Sequence, residues 1–271
     1  MTDRAGKFFW YELMTSDPDA AIAFYGDVVG WSVTPFGGGD PNGDVYHVVS
    51  SAHGGVGGIM AIPAEAATCG MSSWWGGYIG SADVDADAAR LSAAGASIRR
   101  APQDIPGVGR FAVMGDPGGA TFMLLNGSSP EGMTPPPPMT PGHVGWHELH
   151  SGDFDADLAF YTGQFGWVTG DAMDMGPMGS YQLLSQERVA SFDGMTGAIM
   201  PKPAEMPMPG WLFYFSVADI DAAHDRITAG GGTVLHGPME VPGGAWIVQA
   251  TDPQGAMFAV VGMRSNKEAG R

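Results

Sequence analysis

The chain has 271 residues, with 12 lysines and arginines against 29 aspartates and glutamates, a formal net charge of -17. So acidic a protein argues against phosphate backbones and anionic membrane surfaces as partners. A single cysteine, Cys69, excludes an intrachain disulfide framework and a multi-thiolate metal site. The absence of a bilayer-length apolar run or a signal-peptide core makes the cytoplasm the expected location.

In chain order, Phe8-Phe9-Trp10-Tyr11-Glu12-Leu13-Met14 is aromatic, short and strand-like. Alternation sets Trp10, Glu12 and Met14 on one face, with Tyr11 and Leu13 on the other. From Asp19 to Val29, residues Ala21, Phe24, Tyr25 and Val28 recur at helical spacing, and Gly30 ends the run. Short strands follow near 31–36, 46–50 and 58–62. The scheme repeats with a strand near 78–81, a helix over 84–94 stopped by Gly95, and strands near 97–100, 109–114 and 120–125. The order is β-α-β-β-β.

One phrase marks each strand-to-helix junction: Asp17-Pro18-Asp19-Ala20, Asp83-Val84-Asp85-Ala86, Asp153-Phe154-Asp155-Ala156 and Asp219-Ile220-Asp221-Ala222, at intervals of 66, 70 and 66. An aspartate there accepts hydrogen bonds from the free N–H groups of a helix's first turn, and its charge suits the helix dipole. Pro18 suits the first helical position. A larger repeat has an offset of 136: Trp10, Glu12, Leu13, Ala23, Phe24, Tyr25, Gly30 and Trp31 return as Trp146, Glu148, Leu149, Ala159, Phe160, Tyr161, Gly166 and Trp167. Asp116-Pro117 with Gly119 returns as Asp252-Pro253 with Gly255. Between the copies stand Ser128 to Thr134 and then Pro135 to Pro138, a linker composition. The expected organisation is one domain over 1–128, a Pro-rich linker over 129–142 and a second domain over 143–271.

The Trp-Xaa-Glu-Leu strand, the Ala-Phe-Tyr helix with Gly-Trp after it and the Asp-Pro-Xaa-Gly turn stand here as Trp10–Leu13, Ala23–Tyr25, Gly30–Trp31 and Asp116–Gly119, and again one repeat later. Used in paired β-α-β-β-β modules, they resemble the vicinal oxygen chelate superfamily of glyoxalase I, the bleomycin-resistance proteins and the extradiol dioxygenases. The resemblance covers about Lys7 to Gly262. It implies an α+β fold of tandem glyoxalase-like domains, four βαβββ modules with concave mixed sheets. Metal-dependent members place ligands on the first and last strands of each module. Carried over, those positions fall on Trp10, Trp146, Met123 and Ala259, near Met60 and Met200, and at or near Gly76 and Leu212. None offers a hard donor to Zn²⁺, Mg²⁺ or Fe²⁺, so the expectation is no metal and no cofactor.

On the predicted cleft face stand Glu12 and Glu148, each beside a tryptophan. A carboxylate in that setting is partly desolvated and suits a general base, or else serves the structure by pairing with a strand or an arginine. His150 shares the face of Glu148, where the first repeat has Met14. It is either an acid–base partner or a rim histidine. His147 points to the opposite face, and His143 belongs to the linker as a solvated residue. Tyr46 and Tyr181 match between repeats and are hydrogen-bond donors to a ligand or packed strand tyrosines. Arg110 and Trp246 occupy equivalent positions, and Arg110 suits an anionic group or a surface ion pair. Trp10, Trp146 and Met14, with 18 methionines in the chain, furnish adaptable apolar walls. Asp40, Asn42 and Asp44 lack a full calcium-loop pattern. The expected partner is a small, mostly apolar organic molecule, with the protein a monomer or homodimer. The function is a metal-independent lyase or isomerase using Glu148, His150 or Glu12. The alternatives are sequestration in the bleomycin-resistance manner, or a metal enzyme with other ligands.

Overall fold

The structure is a computed structural model that describes residues 4–36, 45–127, 137–187, 189 and 194–265. The acidic loop of Asp40, Asn42 and Asp44 and positions 128–136 of the linker region lie outside the described residues. The first module is β1 (Phe8–Thr15), α1 (Pro18–Val29), β2 (Ser32–Phe36), β3 (Tyr46–Ser51) and β4 (Gly54–Ala61). A short helix α2 (Ala64–Thr68), absent from the sequence reading, leads to β5 (Trp74–Gly80), α3 (Val84–Ala93), β6 (Ser97–Ile105), β7 (Gly109–Gly115) and β8 (Thr121–Gly127). The second repeat runs through β9 (Val144–Ser151), α4 (Phe154–Phe165), β10 (Val168–Asp174), β11 (Ser180–Ser185) and β12 (Gly197–Pro201). It closes with β13 (Gly210–Val217), α5 (Ile220–Ala229), β14 (Thr233–Glu240), β15 (Trp246–Thr251) and β16 (Met257–Gly262).

These strands form two 8-stranded mixed sheets, ordered β2-β3-β4-β1-β5-β8-β7-β6 and β10-β11-β12-β9-β13-β16-β15-β14. In every module the first strand pairs parallel with the last. Each parallel return needs a crossover, which the module's helix supplies. The four crossover helices α1, α3, α4 and α5 start on the aspartate caps: the side chains of Asp17, Asp83, Asp153 and Asp219 accept from the backbone N–H of Ala20, Ala86, Ala156 and Ala222 at 3.0–3.2 Å. Gly30 and Gly166 end α1 and α4 in the left-handed conformation, at φ 86 and 68, which glycine adopts without a Cβ clash.

The chain gathers into two compact units, each drawing a module from both repeats. One holds residues 1–10, 76–133 and 147–212; the other holds 11–75, 134–146 and 213–271. Each unit is tied by the same buried relay. In one, Trp75 Nε1 donates to Tyr25 Oη at 2.8 Å, and that hydroxyl donates to Asp252 Oδ2 at 3.1 Å. In the other, Trp211 Nε1 donates to Tyr161 Oη at 3.1 Å, and that hydroxyl donates to Asp116 Oδ2 at 3.0 Å. The second oxygen of each aspartate holds its own Asp-Pro turn, by accepting from Ala256 N or Ala120 N. A helix tyrosine of one repeat is thus hydrogen-bonded to the turn of the other, through groups that burial would penalise if they stood alone.

The relay of Asp116 has a further member. Asp157 on α4 accepts from Gly118 N at 2.7 Å and Ser151 Oγ at 2.6 Å. A Cβ at Gly118 would fall 2.1 Å from Asp157 Oδ2, so the turn needs glycine there. Burial first, and then the charge of Asp157, push the Asp116 carboxyl up to about 7. Between the ordinary value of 3.8 and about 7 the folded state therefore binds a proton that the unfolded state has lost. Stability from this group is full below the unfolded value and falls as pH rises to about 7. Urea denaturation should show wild type losing stability between pH 5 and pH 8, and Asp116→Asn losing less over that interval. Tyr161→Phe should destabilise by about 1–3 kcal/mol, since it leaves Asp116 and the Trp211 N–H short of a buried partner.

Candidate functional site

Strand β9 alternates as its sequence requires. Leu149 is fully buried. His147, on the Leu149 side, stacks on Phe8 with ring centroids 5.2 Å apart, and its Nδ1 lies 2.9 Å from Thr196 O. Burial pushes the His147 imidazole down to about 4, so it is neutral near pH 7. Trp146, Glu148 and His150 take the other face. Of these, Glu148 and His150 are buried and Trp146 is half-buried.

The candidate site is built on that second face. His150 Nε2 lies 2.9 Å from Glu148 Oε1, and the hydroxyl of Tyr181 on β11 donates to Glu148 Oε2 at 2.8 Å. β12 runs parallel alongside, with Ala198 across from Glu148 and Met200 across from His150. An ionised carboxylate only accepts hydrogen bonds. The His150 nitrogen that faces it therefore carries the proton, and in the neutral ring the remaining lone pair is on Nδ1. That atom is buried and has no hydrogen-bond partner among the described residues. The sequence reading gave proton transfer chiefly to Glu148. The geometry engages both Glu148 oxygens and leaves the accepting lone pair on the imidazole, much as the carboxylate of a catalytic triad orients its histidine.

The first repeat keeps the frame and lacks the imidazole. Glu12 is buried on β1, across from Gly58 of β4, and Met14 lies across from Met60. The Tyr46 hydroxyl rests against Gly58, where a Cβ would come within 2.0 Å of it. Trp10, Met14 and Tyr46 are half-buried. Arg110 and Trp246 each meet a charged partner. Arg110 forms exposed ion pairs with Asp85, at 2.5 Å, and Asp104, at 3.0 Å. Its guanidinium holds the Asp85 carboxyl below the usual range. The half-buried Trp246 carries the Arg264 guanidinium 3.7 Å above its ring. His143 departs from expectation: it is half-buried, with Nε2 2.6 Å from Ser51 Oγ. Burial lowers its proton affinity, with a further contribution from the charge of His53.

Sequence reasoning missed a second polar pair, in which Gln249 Nε2 donates to the buried Tyr214 hydroxyl at 2.6 Å. The signal was present, since Tyr214 and Tyr78 recur at the same offset of 136.

Known proteins align with this architecture. Residues 7–124 and 140–260 each match the model of the Glyoxalase/Bleomycin resistance protein/Dioxygenase superfamily. A Mycobacterium tuberculosis protein named "Putative glyoxylase CFP32" is 32% identical over 264 residues, covering 95% of both chains. The anthracycline biosynthesis protein DauV of Streptomyces sp. (strain C5) is 30% identical over 267 residues, covering 94% of this chain and 92% of its own. Among solved structures, the Mn(II)-bound glyoxalase from Novosphingobium aromaticivorans superposes with a TM-score of 0.63 at 19% identity. That alignment covers 98% of this chain and 86% of the other. The 2,3-dioxygenase LapB from Pseudomonas sp. KL28 gives 0.63 at 17% identity, covering 94% and 91%.

The donor set does not fit a resident metal of the kind in the Mn(II) structure. The ligand positions that the resemblance implies fall on Trp10, Met123, Trp146 and Ala259, near Met60 and Met200, and at or near Gly76 and Leu212. Among the described residues, no three or more His, Cys, Asp or Glu side chains gather closely enough to hold an ion.

The hydrogen-bond chain fixes a tautomer that can be read directly. Long-range ¹H–¹⁵N correlation spectra, assigned with a His150→Gln variant, should show the neutral His150 ring protonated at Nε2. Glu148→Gln should mix the two tautomers, because a neutral amide can donate as well as accept. A wild-type ring protonated at Nδ1 would contradict the arrangement.

Proposed function

Because the chain belongs to the glyoxalase/bleomycin resistance/dioxygenase superfamily, and because its second repeat joins Tyr181, Glu148 and His150 in one hydrogen-bonded chain, we propose that it is a metal-independent lyase or isomerase acting on a small, mostly apolar organic molecule. The carrying observation is the buried, unpartnered Nδ1 of His150 beside a fully engaged carboxylate. His150 Nδ1 takes a proton from an acidic C–H of the substrate. The electron pair of that bond stays on the substrate as an enolate. Glu148 balances the imidazolium that forms, and the Tyr181 hydroxyl holds Glu148 in position. The enolate then recovers the proton at another atom, which is isomerisation, or expels a leaving group, which is elimination. A positioned base of this kind contributes roughly 10²–10⁴ in rate. The relatives named for anthracycline biosynthesis put aromatic compounds among the candidate substrates.

A rival reading is sequestration of the same molecule, as in bleomycin resistance. The first repeat, with Met14 where the second has His150, has the frame for binding and no imidazole for proton transfer.

Turnover separates the two. The protein would be incubated in D₂O with a panel of aromatic hydroxyketones, and deuterium incorporation followed by mass spectrometry. Wild type should exchange at least one carbon-bound hydrogen. His150→Met and Glu148→Gln should each lower that rate about 100-fold or more. Glu12→Gln should stay within about two-fold of wild type, a change too small to mark a lost catalytic group. A ligand recovered unlabelled from a stable complex would establish sequestration instead, and equal losses from Glu12→Gln and Glu148→Gln would mean two equivalent sites.

A further inference from the structure

The repeats differ at a second position, and it lies beside the first. In the first repeat Ser16 N donates to Ser73 Oγ at 3.2 Å, and Ser73 Oγ donates to Thr15 Oγ1 at 3.4 Å. β1 and β5 are neighbours in the sheet, and contacts of Ser73 with Thr15 and Ser16 at one end and of Gly80 N with Lys7 O at the other make them antiparallel. The contact of Thr15 with Ser73 implies that Met14 lies across from Trp74, and because the Trp75 indole bonds the helix tyrosine Tyr25, alternation sets Trp74 on the other face, that of Glu12. The second repeat keeps the register, since a Cβ on Gly152 would lie 3.4 Å from Pro209 Cγ. By the repeat offset of 136, Gly210 takes the place of Trp74, which implies that it lies across from His150. A Cβ at Gly210 would meet no described atom within 4 Å.

The two exchanges are chemically complementary. Trp74 offers a buried indole N–H that has no acceptor among the described residues, and Met14 stands across from it. His150 offers a buried Nδ1 acceptor that has no donor, and a glycine bordering open space stands across from it. The first repeat thus supplies the flat donor ring without the acceptor, and the second supplies the acceptor without the ring. A buried donor or acceptor left unmade is costly, so a ligand that completes the second half recovers that loss on binding.

We propose that the second repeat binds a flat, bicyclic-sized aromatic molecule bearing an N–H or O–H donor, with its ring in the space beside Gly210 and its donor on His150 Nδ1. Gly210 is then the position that determines specificity, and Trp74 fills the equivalent space of the first repeat with the protein's own indole. This deepens the proposed function by naming the ligand class. It rests on the tautomer set by Glu148, and it holds whether or not the ligand is turned over.

Ligand-observed NMR titration of the full chain would test it with indole and 2-naphthol, against 1-methylindole and 2-methoxynaphthalene as shape-matched compounds without the donor. Indole and 2-naphthol should bind one per chain, with each methylated compound about 10-fold weaker or more. Gly210→Trp installs the residue that the first repeat carries on the equivalent strand and should cut indole binding at least about 10-fold. Gly210→Leu serves as the second variant, with an unchanged melting temperature required of at least one of the two. Undiminished binding to the folded variant, equal affinity for the methylated compounds, or no binding of either donor compound at millimolar concentration would each overturn the proposal. Binding through Gly210 without deuterium exchange would instead sink only the proton-transfer reading.

Discussion

The hydroxyl that joins a helix of one repeat to a turn of the other is the constraint on which the rest depends. Tyr25 reaches Asp252, and Tyr161 reaches Asp116. Each hydroxyl also accepts an indole N–H, from Trp75 or Trp211. Neither repeat can satisfy its own tyrosine this way, because the acceptor belongs to the other copy. A duplication that stayed as two independent domains would not require the exchange. In this chain the exchange explains why each compact unit takes one module from each repeat. It also ties the Ala-Phe-Tyr and Asp-Pro-Xaa-Gly motifs to a physical role. They recur because they are two ends of one buried hydrogen bond, whose loss would strand a carboxylate and an indole together.

With that frame fixed, the opposite faces of the opening strands are free to diverge. Both repeats keep the glutamate on its strand and a tyrosine on the third strand of the module. The first repeat sets Tyr46 against Gly58, where any side chain would collide with it. The second has Ala198 across from Glu148, and the Tyr181 hydroxyl bonds the carboxylate. Met14 became His150, or the reverse, and Trp74 stands where the other copy has Gly210. None of these positions takes part in the tyrosine–aspartate relay, so each could change without loosening it. The duplicated frame thus carries one face with an imidazole and a glycine and one with a methionine and an indole.

Much of this was legible in the sequence, for identifiable reasons. The four aspartate caps announced four helix starts, because a helix N-terminus has only local means of satisfying its free N–H groups. Period-two alternation put Glu148 and His150 together and His147 apart. The apolar residues at the ligand positions were visible as residue types. What escaped was set by tertiary contact. The acceptor of Tyr25 lies 227 residues away, which no local pattern reports. The direction of proton acceptance turned on which nitrogen of His150 meets Glu148, a matter of side-chain geometry. His143 read as linker because its composition is linker-like, and the Ser51 contact that half-buries it comes from another part of the chain. Burial drives the rise of Asp116 and the charge of Asp157 adds to it; the counterpart of Asp157 in the first repeat is Ala21, so the repeat pattern gave no hint of that second contribution.

The central claim is that one of two near-identical faces has become the functional one, through His150 and Gly210. A crystal structure of wild type soaked with 2-naphthol tests it most directly. The account predicts one ordered ring, beside Gly210, with its oxygen within hydrogen-bond distance of His150 Nδ1, and none beside Met14. A ring seated in the first repeat, or one in the second repeat that leaves Nδ1 without a contact, would contradict it.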